Sequence, residues 1–450
     1  MKKLALGLSL LLLSGCAAQR YEMPAQDVLT QSQIEERYSI DRQWWKQYAD
    51  PKLDALVELA LERNIDLARS AISVNRALYR ARQLGAELVP SFSGDGSASS
   101  RTYLDDGSTS RSFSASLGLN YEIDLWGRLR DSASAQAWEH LATEQDLEAA
   151  RLALVNSVVN TWYSMAYTKQ ALTLSRENLG FYERLYSITE QKFRSGKTDG
   201  LDPALVEQNL LNQRSSILAL EDRLADEEQT LRDLLRLRPE EALPVADVDL
   251  MAVAIPAVDL NVPVAALGAR PDVQAAEHRI QKAFLSWEAS KKDLYPTVSI
   301  GGTLGASAAS SSDWFTSPFV SGLLGLKLPF LDWNRVKWNM RISEADFEDA
   351  KLAFEKSIVT ALNEIDRYYK AMGNAMQVME NERKTLTSAQ RVEAYRKARY
   401  ELGADELKDW LDALRSLNSS QLAVLDARFA LISATNAVFE SMGGRIYQDR

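Results

Sequence analysis

The chain is nearly devoid of the side chains that build metal centres and disulfide frameworks. Among its 450 residues are one cysteine, Cys16, and two histidines, His140 and His278. A structural zinc site takes four cysteine or histidine ligands and a disulfide takes two cysteines, so neither is expected. A nucleophile elbow, an HExxH motif and a paired catalytic cysteine and histidine are missing as well. We therefore expect no enzymatic activity, no metal site and no dissociable cofactor.

Acidic residues outnumber basic ones by 62 to 52, and the formal net charge is −10 at pH 7. Such a chain is not expected to bind the phosphate backbone of nucleic acid. Gly196-Lys197-Thr198 resembles the end of a phosphate-binding loop, but Gln191 occupies a position where that motif needs glycine. A helical pattern also precedes it where the motif needs a strand. Nucleotide binding is therefore not expected either.

A membrane-spanning helix needs roughly 20 apolar residues. The sequence has an apolar run at the N-terminus, but this run is too short, and no other segment suggests such a helix. Leu4–Leu13 follows the basic Met1-Lys2-Lys3 and ends in Ser14-Gly15-Cys16. This arrangement resembles a bacterial lipoprotein signal, in which residues 1–15 are removed and the cysteine is lipidated. In such signals, Ala17 after the cysteine favours sorting of the protein to the outer membrane. An ordinary secretory signal with an incidental cysteine is the alternative. Any membrane crossing is expected to be made by strands.

What the sequence does contain is a long alternating segment that begins at Ser112. The residues between its apolar positions are small or polar, and the apolar positions are Phe113, Ala115, Leu117, Leu119, Tyr121, Ile123 and Leu125. This alternation predicts a strand with one wet face. At about 13 residues it exceeds the usual globular strand of roughly 5 to 6 and suits a tilted membrane strand of about 9 to 11. From Arg128 onward the apolar period becomes helical.

Several landmarks of the first half recur about 207 residues later, which predicts an internal duplication. The matched pairs are Pro90-Ser91-Phe92 with Pro296-Thr297-Val298, Trp126-Gly127-Arg128 with Trp333-Asn334-Arg335, and Phe193-Arg194-Ser195-Gly196 with Tyr400-Glu401-Leu402-Gly403. Each half is expected to contain a helix, two strands, a long helix and a further helix. The proline-rich segment between the halves is interpreted as a linker.

The predicted organisation follows from these boundaries. It comprises a signal peptide (1–15), a lipidated extended arm (16–48), a first repeat (49–238), a linker (239–268), a second repeat (269–444) and a tail (445–450). Helices are predicted at about 52–88, 128–194, 202–236, 272–294, 333–401 and 408–442. Strands are predicted at about 91–98, 112–125, 297–306 and 319–331, with hairpin loops over 101–111 and 307–318.

Four strands are too few for a transmembrane barrel, which starts at about eight, so several chains are expected to share one barrel. Aromatic residues at the junctions of strands and helices predict an interfacial belt: Tyr121, Trp126, Tyr295, Phe330, Trp333 and Trp338. The alternative for the strands is the core of a β-sandwich. Apolar spacings of four and seven in the first long helix are typical of coiled-coil packing, with an ordinary helical bundle as the alternative.

The residues together resemble a TolC-type outer membrane efflux channel of the lipoprotein branch. The resemblance runs from Cys16 to Gly444. It rests on Trp44-Trp45, Asp50-Pro51-Lys52-Leu53, Asn64-Ile65-Asp66-Leu67, Tyr121 to Arg128, Arg270-Pro271-Asp272-Val273, Ala276-Glu277, Leu411-Asp412-Ala413 and Arg415. One departure is Asn334, where the family usually has glycine at the second strand exit. Because asparagine tolerates a positive φ, the turn is expected to survive.

The resemblance implies a mainly helical protein with a long helical tunnel and a 12-stranded barrel shared by a homotrimer. It also implies a location in the outer membrane of a Gram-negative bacterium, docking to a periplasmic adaptor and coupling to an inner-membrane pump of the RND type. The expected function is passive export of drugs or other small molecules. The alternative is type I protein secretion. A periplasmic adaptor is the alternative from a different class of protein. An adaptor would show one helical hairpin and no alternating strand pairs, whereas this sequence predicts two of each.

Three groups of site residues are predicted. The helical tips expected to contact the adaptor are Ser195, Gly196, Lys197, Leu402, Gly403 and Ala404. A carboxylate ring at the closed end of the tunnel is expected from Asp405, Glu406 and Asp409, although acids at a helix start often serve only the helix dipole. The turns from strand to helix are expected at Gly127, Arg128, Asn334 and Arg335.

Overall fold

The computed structural model describes residues 38–41, 43–244, 246–256, 268–309, 318–444 and 446–449. The predicted lipidation site Cys16, the signal peptide and most of the arm lie outside the described residues. The middle of the linker and most of the second hairpin loop also lie outside them.

The described chain is a duplicated series of helices and strands. Its helices are α1 (Pro51–Arg63), α2 (Ile65–Ala86), α3 (Arg128–Arg194), α4 (Leu201–Leu235), α5 (Pro271–Lys292), α6 (Trp333–Glu401) and α7 (Leu407–Ser441). Its strands are β1 (Tyr38–Asp41), β2 (Ser91–Thr102), β3 (Thr109–Ile123), β4 (Thr297–Ala308), β5 (Pro318–Lys327) and β6 (Ile446–Asp449). Two 3₁₀ helices, Trp44–Tyr48 and Pro329–Asp332, precede α1 and α6.

The longest elements are α3 and α6, with 67 and 69 residues. At 1.5 Å per residue each is about 100 Å long. The bounds predicted for both helices, 128–194 and 333–401, are confirmed. The sequence defines these helices well because neither contains proline and a glycine follows each C-terminus. Gly196 and Gly403 both have φ of 72°, a backbone conformation that stops a helix.

The prediction of a single helix over 52–88 is wrong, because the structure divides this segment into α1 and α2 at Asn64. The Asn64 side chain accepts a hydrogen bond from the backbone N–H of Leu67 at 3.0 Å. Its amide group also donates to the carbonyl oxygen of Leu234 at 3.0 Å. Asn64 thus caps the start of α2 and ties it to α4. The predicted cap of α1 is present, since the Asp50 side chain accepts from two backbone N–H groups of the first turn.

Strands β2, β3, β4 and β5 form one antiparallel sheet in that order, so the two hairpins pair through β3 and β4. Pairing in the first hairpin continues to Thr102 and Thr109, which shortens the loop predicted over 101–111. β3 ends at Ile123, two residues before the predicted end, and β4 continues to Ala308.

The last strand of the sheet is shorter than predicted. β5 ends at Lys327 and not near residue 331, so Leu328 and Phe330 do not continue its apolar face. Residues 329–332 form a 3₁₀ helix that begins with proline. Because proline has no N–H to donate to a neighbouring strand, it ends the ladder.

The chain divides into two compact units, and each takes segments from both repeats. One unit includes residues 71–146 and 272–357, and it holds the four-stranded sheet. The other includes, among the described residues, those within 43–70, 147–271 and 358–449. The hydrophobic core of this second unit contains large side chains that are almost fully buried: Trp44, Trp162, Tyr163, Met165, Leu231, Leu235 and Ile432.

A two-stranded ladder joins the two ends of the described chain. β1 pairs with β6 in antiparallel register, with Tyr38 opposite Asp449 and Asp41 opposite Ile446. The sequence predicted only an arm over 16–48 and a tail over 445–450. Four-residue strands whose partners lie at the opposite end of the chain leave no local pattern, so this pairing was missed.

α7 is the one helix among the described residues whose length and hydropathy are sufficient to span a membrane. Half of its most apolar stretch is buried within the protein. Its buried residues include Leu431, Ile432, Val438 and Phe439, which belong to hydrophobic clusters of the second unit. Burial of this kind is typical of a core helix.

Candidate functional site

The register of the sheet puts apolar side chains of all four strands on one face, because residues directly opposite each other share a face. This face carries Phe92, Ala98, Phe113, Ala115, Leu117, Leu119, Tyr121, Ile123, Val298, Ile300, Leu304, Ala306, Val320, Leu324 and Leu326. Phe92, Val320 and Leu324 are 79%, 81% and 74% exposed. An exposed apolar face of this extent suits contact with the hydrocarbon of a bilayer.

The opposite face of the sheet is built mainly from serine, threonine and glycine. It carries Ser91, Ser93, Asp95, Ser97, Ser99, Ser112, Ser114, Ser116, Gly118, Asn120, Thr297, Ser299, Gly301, Thr303, Gly305, Ser321 and Gly325. The hydroxyl oxygens of Ser97 and Ser114 are hydrogen-bonded at 2.8 Å. An apolar face backed by a small polar face is the wall that a membrane barrel presents between lipid and water.

Aromatic side chains lie where the strands meet the helices, at the predicted positions. The ring of Trp126 packs against Tyr295 with centroids 5.0 Å apart, and its indole N–H donates to the carbonyl oxygen of Pro296 at 2.8 Å. Further rings at these junctions are about half exposed or more: Phe330, Trp333 and Trp338. Tyr121 is half-buried on the apolar face. Amphipathic rings at one level of a barrel suit the interface between lipid and water.

The turn from β3 into α3 depends on Gly127, which has φ of 78°. Asp124 caps the helix that follows, because its carboxylate accepts from the backbone N–H groups of Leu129 and Arg130, each at 3.1 Å. Arg128 forms an ion pair with Glu122 at 2.8 Å. The sequence identified Gly127 and Arg128 but missed Asp124, although an acid a few residues before a helix start is a recognised capping signal.

The turn into α6 differs from the one into α3, and the expectation for Asn334 is wrong. Asn334 lies within α6, and the only non-glycine residues of the described chain with positive φ are Ala49 and Arg236. A 3₁₀ helix leads directly into α6, which begins at Trp333, so no left-handed residue is needed. Arg335 forms an ion pair with Asp332 at 2.5 Å.

The two helical tips end by the same hydrogen-bond pattern. The N–H of Gly196 donates to the carbonyl oxygen of Phe193, and the N–H of Lys197 donates to the carbonyl oxygen of Lys192, each at 2.9 Å. Gly403 and Ala404 repeat this pattern at the end of α6. Both are Schellman motifs, in which a left-handed glycine stops the helix. The tip residues are exposed, namely Ser195, Gly196, Lys197, Leu402, Gly403 and Ala404.

The second tip is supported by an aromatic cluster. Trp410 stacks on Tyr400 with ring centroids 5.2 Å apart and meets Phe181 edge to face at 5.8 Å. Its indole N–H donates to the carboxylate of Glu393 at 2.9 Å. The start of α7 is therefore fixed against the end of α6, so the position of the tip is set by packing.

Asp405 lies at the second tip between two arginines of its own chain. One carboxylate oxygen accepts from Arg396 at 2.9 Å and the other from Arg399 at 2.7 Å. The Asp405 side chain is only 6% exposed, while Glu406 and Asp409 are exposed. Hydrogen bonds from Arg396 and then Arg399 lower the pKa of Asp405 below its usual range. The acid predicted for the gate thus stays ionised within a basic clamp.

The sequence missed Arg396 and Arg399 as part of this site. Their spacing of three residues on one helix face, just before the turn glycine, was the available signal. No group of three or more His, Cys, Asp or Glu side chains that could hold a metal ion is found in the described ranges.

Relatives of the chain share its sequence over nearly its whole length. The outer membrane efflux protein family matches residues 56–235 and 262–444. Toxin and drug export protein A of Aggregatibacter actinomycetemcomitans is 39% identical over 435 residues, which cover 96% of this chain and 95% of the relative. The pyoverdine export outer membrane protein OpmQ of Pseudomonas putida is 31% identical over 421 residues, covering 90% and 88%.

Solved structures of membrane proteins share the fold. CusC superimposes with a TM-score of 0.83 at 23% identity, covering 94% of this chain and 99% of CusC. A membrane protein from Pseudomonas aeruginosa gives a TM-score of 0.83 at 26% identity, covering 95% and 99%. With its matched sequence, its amphipathic sheet and its paired helical tips, the chain belongs to the outer membrane efflux protein family and is an outer membrane efflux channel.

Proposed function

We propose that three copies of this chain close one barrel of 12 strands and form a passive conduit for small molecules in a tripartite efflux pump. The observation that carries the proposal is the four-stranded sheet, in which β2 and β5 each have one partner strand among the described residues. Four strands are too few for a transmembrane barrel, which takes about eight or more. In lipid, each unpaired backbone group would cost several kcal/mol. Neighbouring copies supply the missing strands.

The helical tips are the proposed contact for a periplasmic adaptor, which connects the channel to an inner-membrane pump of the RND type. Support comes from their exposure and from the apolar side chains they present, since Leu402 is 83% exposed and Phe193 is 45% exposed. Exposed apolar residues at a rigid helical turn favour contact with a protein partner. The pump supplies the energy, and the channel supplies the path.

Drugs and other small molecules are the proposed cargo. Two relatives are named for the export of a toxin and drugs and for the export of pyoverdine. Because the first of these relatives is named for toxin export and a toxin can be a protein, type I protein secretion is the second candidate function. A deletion strain distinguishes the two, because loss of efflux raises the accumulation of a small dye, whereas loss of secretion retains a protein in the cell.

Two further assignments complete the proposal. Cys16 carries the covalent lipid, as supported by the signal-like residues before it. Asp405, Glu406 and Asp409 of three copies form an acidic ring at the periplasmic end, as supported by their clustering at one tip.

The orientation of the sheet is tested by placing a lysine on either face of β5. Leu324→Lys puts a charge on the apolar face, and Ser321→Lys puts the same charge on the polar face. We expect Leu324→Lys to weaken barrel insertion by about 2–4 kcal/mol and Ser321→Lys to insert normally. Insertion is measured by release of an entrapped small dye from liposomes. Normal insertion of both variants, or no release by the wild-type protein, would refute the proposed barrel.

A further inference from the structure

Two large apolar side chains interrupt the small polar face of the sheet. Phe319 and Leu323 lie on this face of β5, with Ser321 between them. Phe319 is 48% exposed and Leu323 is 70% exposed. In the proposed barrel this face lines the aqueous pore, where exposed apolar groups gain nothing from lipid. Their position needs a different explanation.

Both side chains lie opposite glycines of β4. Gly305 pairs with Phe319, and Gly301 pairs with Leu323. A Cβ atom added to Gly305 would lie 2.6 Å from Cζ of Phe319, so the ring occupies the space that any larger residue would fill. A Cβ atom added to Gly301 would lie 3.5 Å from Cβ of Leu323. The glycines thus make room for a flat apolar surface against the wall.

An acid lies in the same row of the sheet as the aromatic ring. Asp95 is opposite Ser116, Ser116 is opposite Gly305, and Gly305 is opposite Phe319. With strands about 4.8 Å apart, the backbones of Asp95 and Phe319 are about 14 Å apart. Within the described residues, the exposed carboxylate of Asp95 has no ion-pair partner. One row therefore presents a negative charge and an apolar ring to the same space.

We propose that Phe319 and Leu323, together with Asp95, form a contact site in the pore wall for small molecules that combine an aromatic ring with a positive charge. The inference rests on the proposed function, which makes this face the lining of the pore. The ring of the ligand packs on Phe319 and Leu323. Its charge does not contact the carboxylate but is attracted to it through water, across a distance that is within the Debye length of about 30 Å at 0.01 M salt. The competing explanation is structural, since an aromatic side chain over a glycine also stabilises a sheet.

The test measures saturation-transfer NMR signals of benzyltrimethylammonium with the purified full-length protein in lipid nanodiscs at about 0.01 M salt, where charges about 14 Å apart are only weakly screened, after subtraction of the signal from empty nanodiscs. We expect transfer to its ring protons to fall at least about fivefold in F319Q/L323Q, which keeps bulk but removes the apolar surface. Ser321→Ala, on the same face between the two residues, is the matched control and keeps the signal. Benzenesulfonate, a ring with the opposite charge, gives weaker transfer than the cation.

Asp95→Asn separates binding from sheet stability, because it leaves the apolar pair intact. We expect this variant to lose the preference for the cation over benzenesulfonate, which a purely structural role would not predict. Unchanged transfer in F319Q/L323Q, or equal transfer from cation and anion to the wild-type protein, overturns the inference. In either case dye release by the wild-type protein shows that the proposed channel itself stands, whereas its loss refutes the channel and this site together.

Discussion

Asp405 shows how one residue of the channel is controlled by its immediate neighbours. Its carboxylate is held by Arg396 and Arg399 of the same chain. The sequence predicted an acid at this tip but not the arginines, although their spacing just before the turn at Gly403 was an available signal. If Asp405 belongs to the proposed gate, its removal leaves two cations facing the conduction path, which disfavours passage of further cations.

The first prediction follows from that charge balance. Asp405→Ala is expected to change single-channel conductance and to lower the preference for cations, because Arg396 and Arg399 lose their counter-charge. Glu406→Gln, which removes an exposed acid beside the clamp, is the control and is expected to have a smaller effect. Planar bilayer recordings measure both. Wild-type conductance and selectivity in Asp405→Ala would rule out a role of this residue in the gate.

Acid pH should reproduce the effect of that substitution. The arginines lower the folded-state pKa of Asp405 below the ordinary aspartate value of about 3.9. Its contribution to the tip is therefore complete above about pH 4 and is lost as the pH falls through the lower folded value. Recordings of wild type and Asp405→Asn should differ near pH 7 and converge as the pH falls through the folded-state pKa of Asp405, which lies below the ordinary aspartate value.

Gly127 and Asn334 occupy matching positions of the two repeats but have different backbone conformations. Gly127 has φ of 78°, whereas Asn334 is helical. We expect Gly127→Ala to cost about 1–2 kcal/mol because alanine is strained in the left-handed region, and Asn334→Ala to be nearly neutral. Thermal unfolding in detergent measures both. Equal midpoints for the two variants would contradict the assigned turn.

At the scale of helices and strands, a chain of hydrogen bonds that is buried at Tyr48 and Asn436 and partly buried beyond them fixes α3 against α7. The hydroxyl of Tyr48 donates to Asn436 at 2.6 Å, and the amide of Asn436 donates to Asn160 at 2.8 Å. Asn160 in turn donates to Asn156, whose amide donates to Glu440. Asn436 is fully buried. Buried polar side chains of this kind specify one register between packed helices.

The element-scale prediction concerns the middle of this chain. Asn436→Ala leaves the Tyr48 hydroxyl and the Asn160 carbonyl oxygen without their buried partner, at roughly 1–3 kcal/mol per group. We expect the variant to lose about 2–4 kcal/mol of unfolding free energy. Asn212→Ala, on the exposed surface of α4, is the matched control and should change it by less than about 0.5 kcal/mol. Equal losses in the two variants would show that the chain does not stabilise the helices.

The elements also show how far the sequence alone could reach. α3 and α6 were predictable to the residue because uninterrupted apolar periods end at turn glycines. The break at Asn64 was not, since its amide bonds to Leu234, which is distant in sequence. The pairing of β1 with β6 likewise depends on contacts between the two ends of the chain. Long-range partners leave no local signal in the sequence.

At the scale of the whole molecule, the duplication gives two compact units that each take segments from both repeats. The order β2, β3, β4, β5 joins the hairpins of the two repeats into one sheet. The alternation of β3 was sufficient to predict an amphipathic sheet of four strands, whereas its completion by other copies stays a prediction. The sequence could not identify the register between strands, which puts Gly305 opposite Phe319 and Gly301 opposite Leu323.

The central claim is that the sheet is completed only by neighbouring copies. Native mass spectrometry of the full-length protein, released from detergent micelles, tests it most directly by counting the chains in the particle that also releases dye from liposomes. The account predicts three chains, which give 12 strands at four per chain. A stable monomer with full release activity would contradict it.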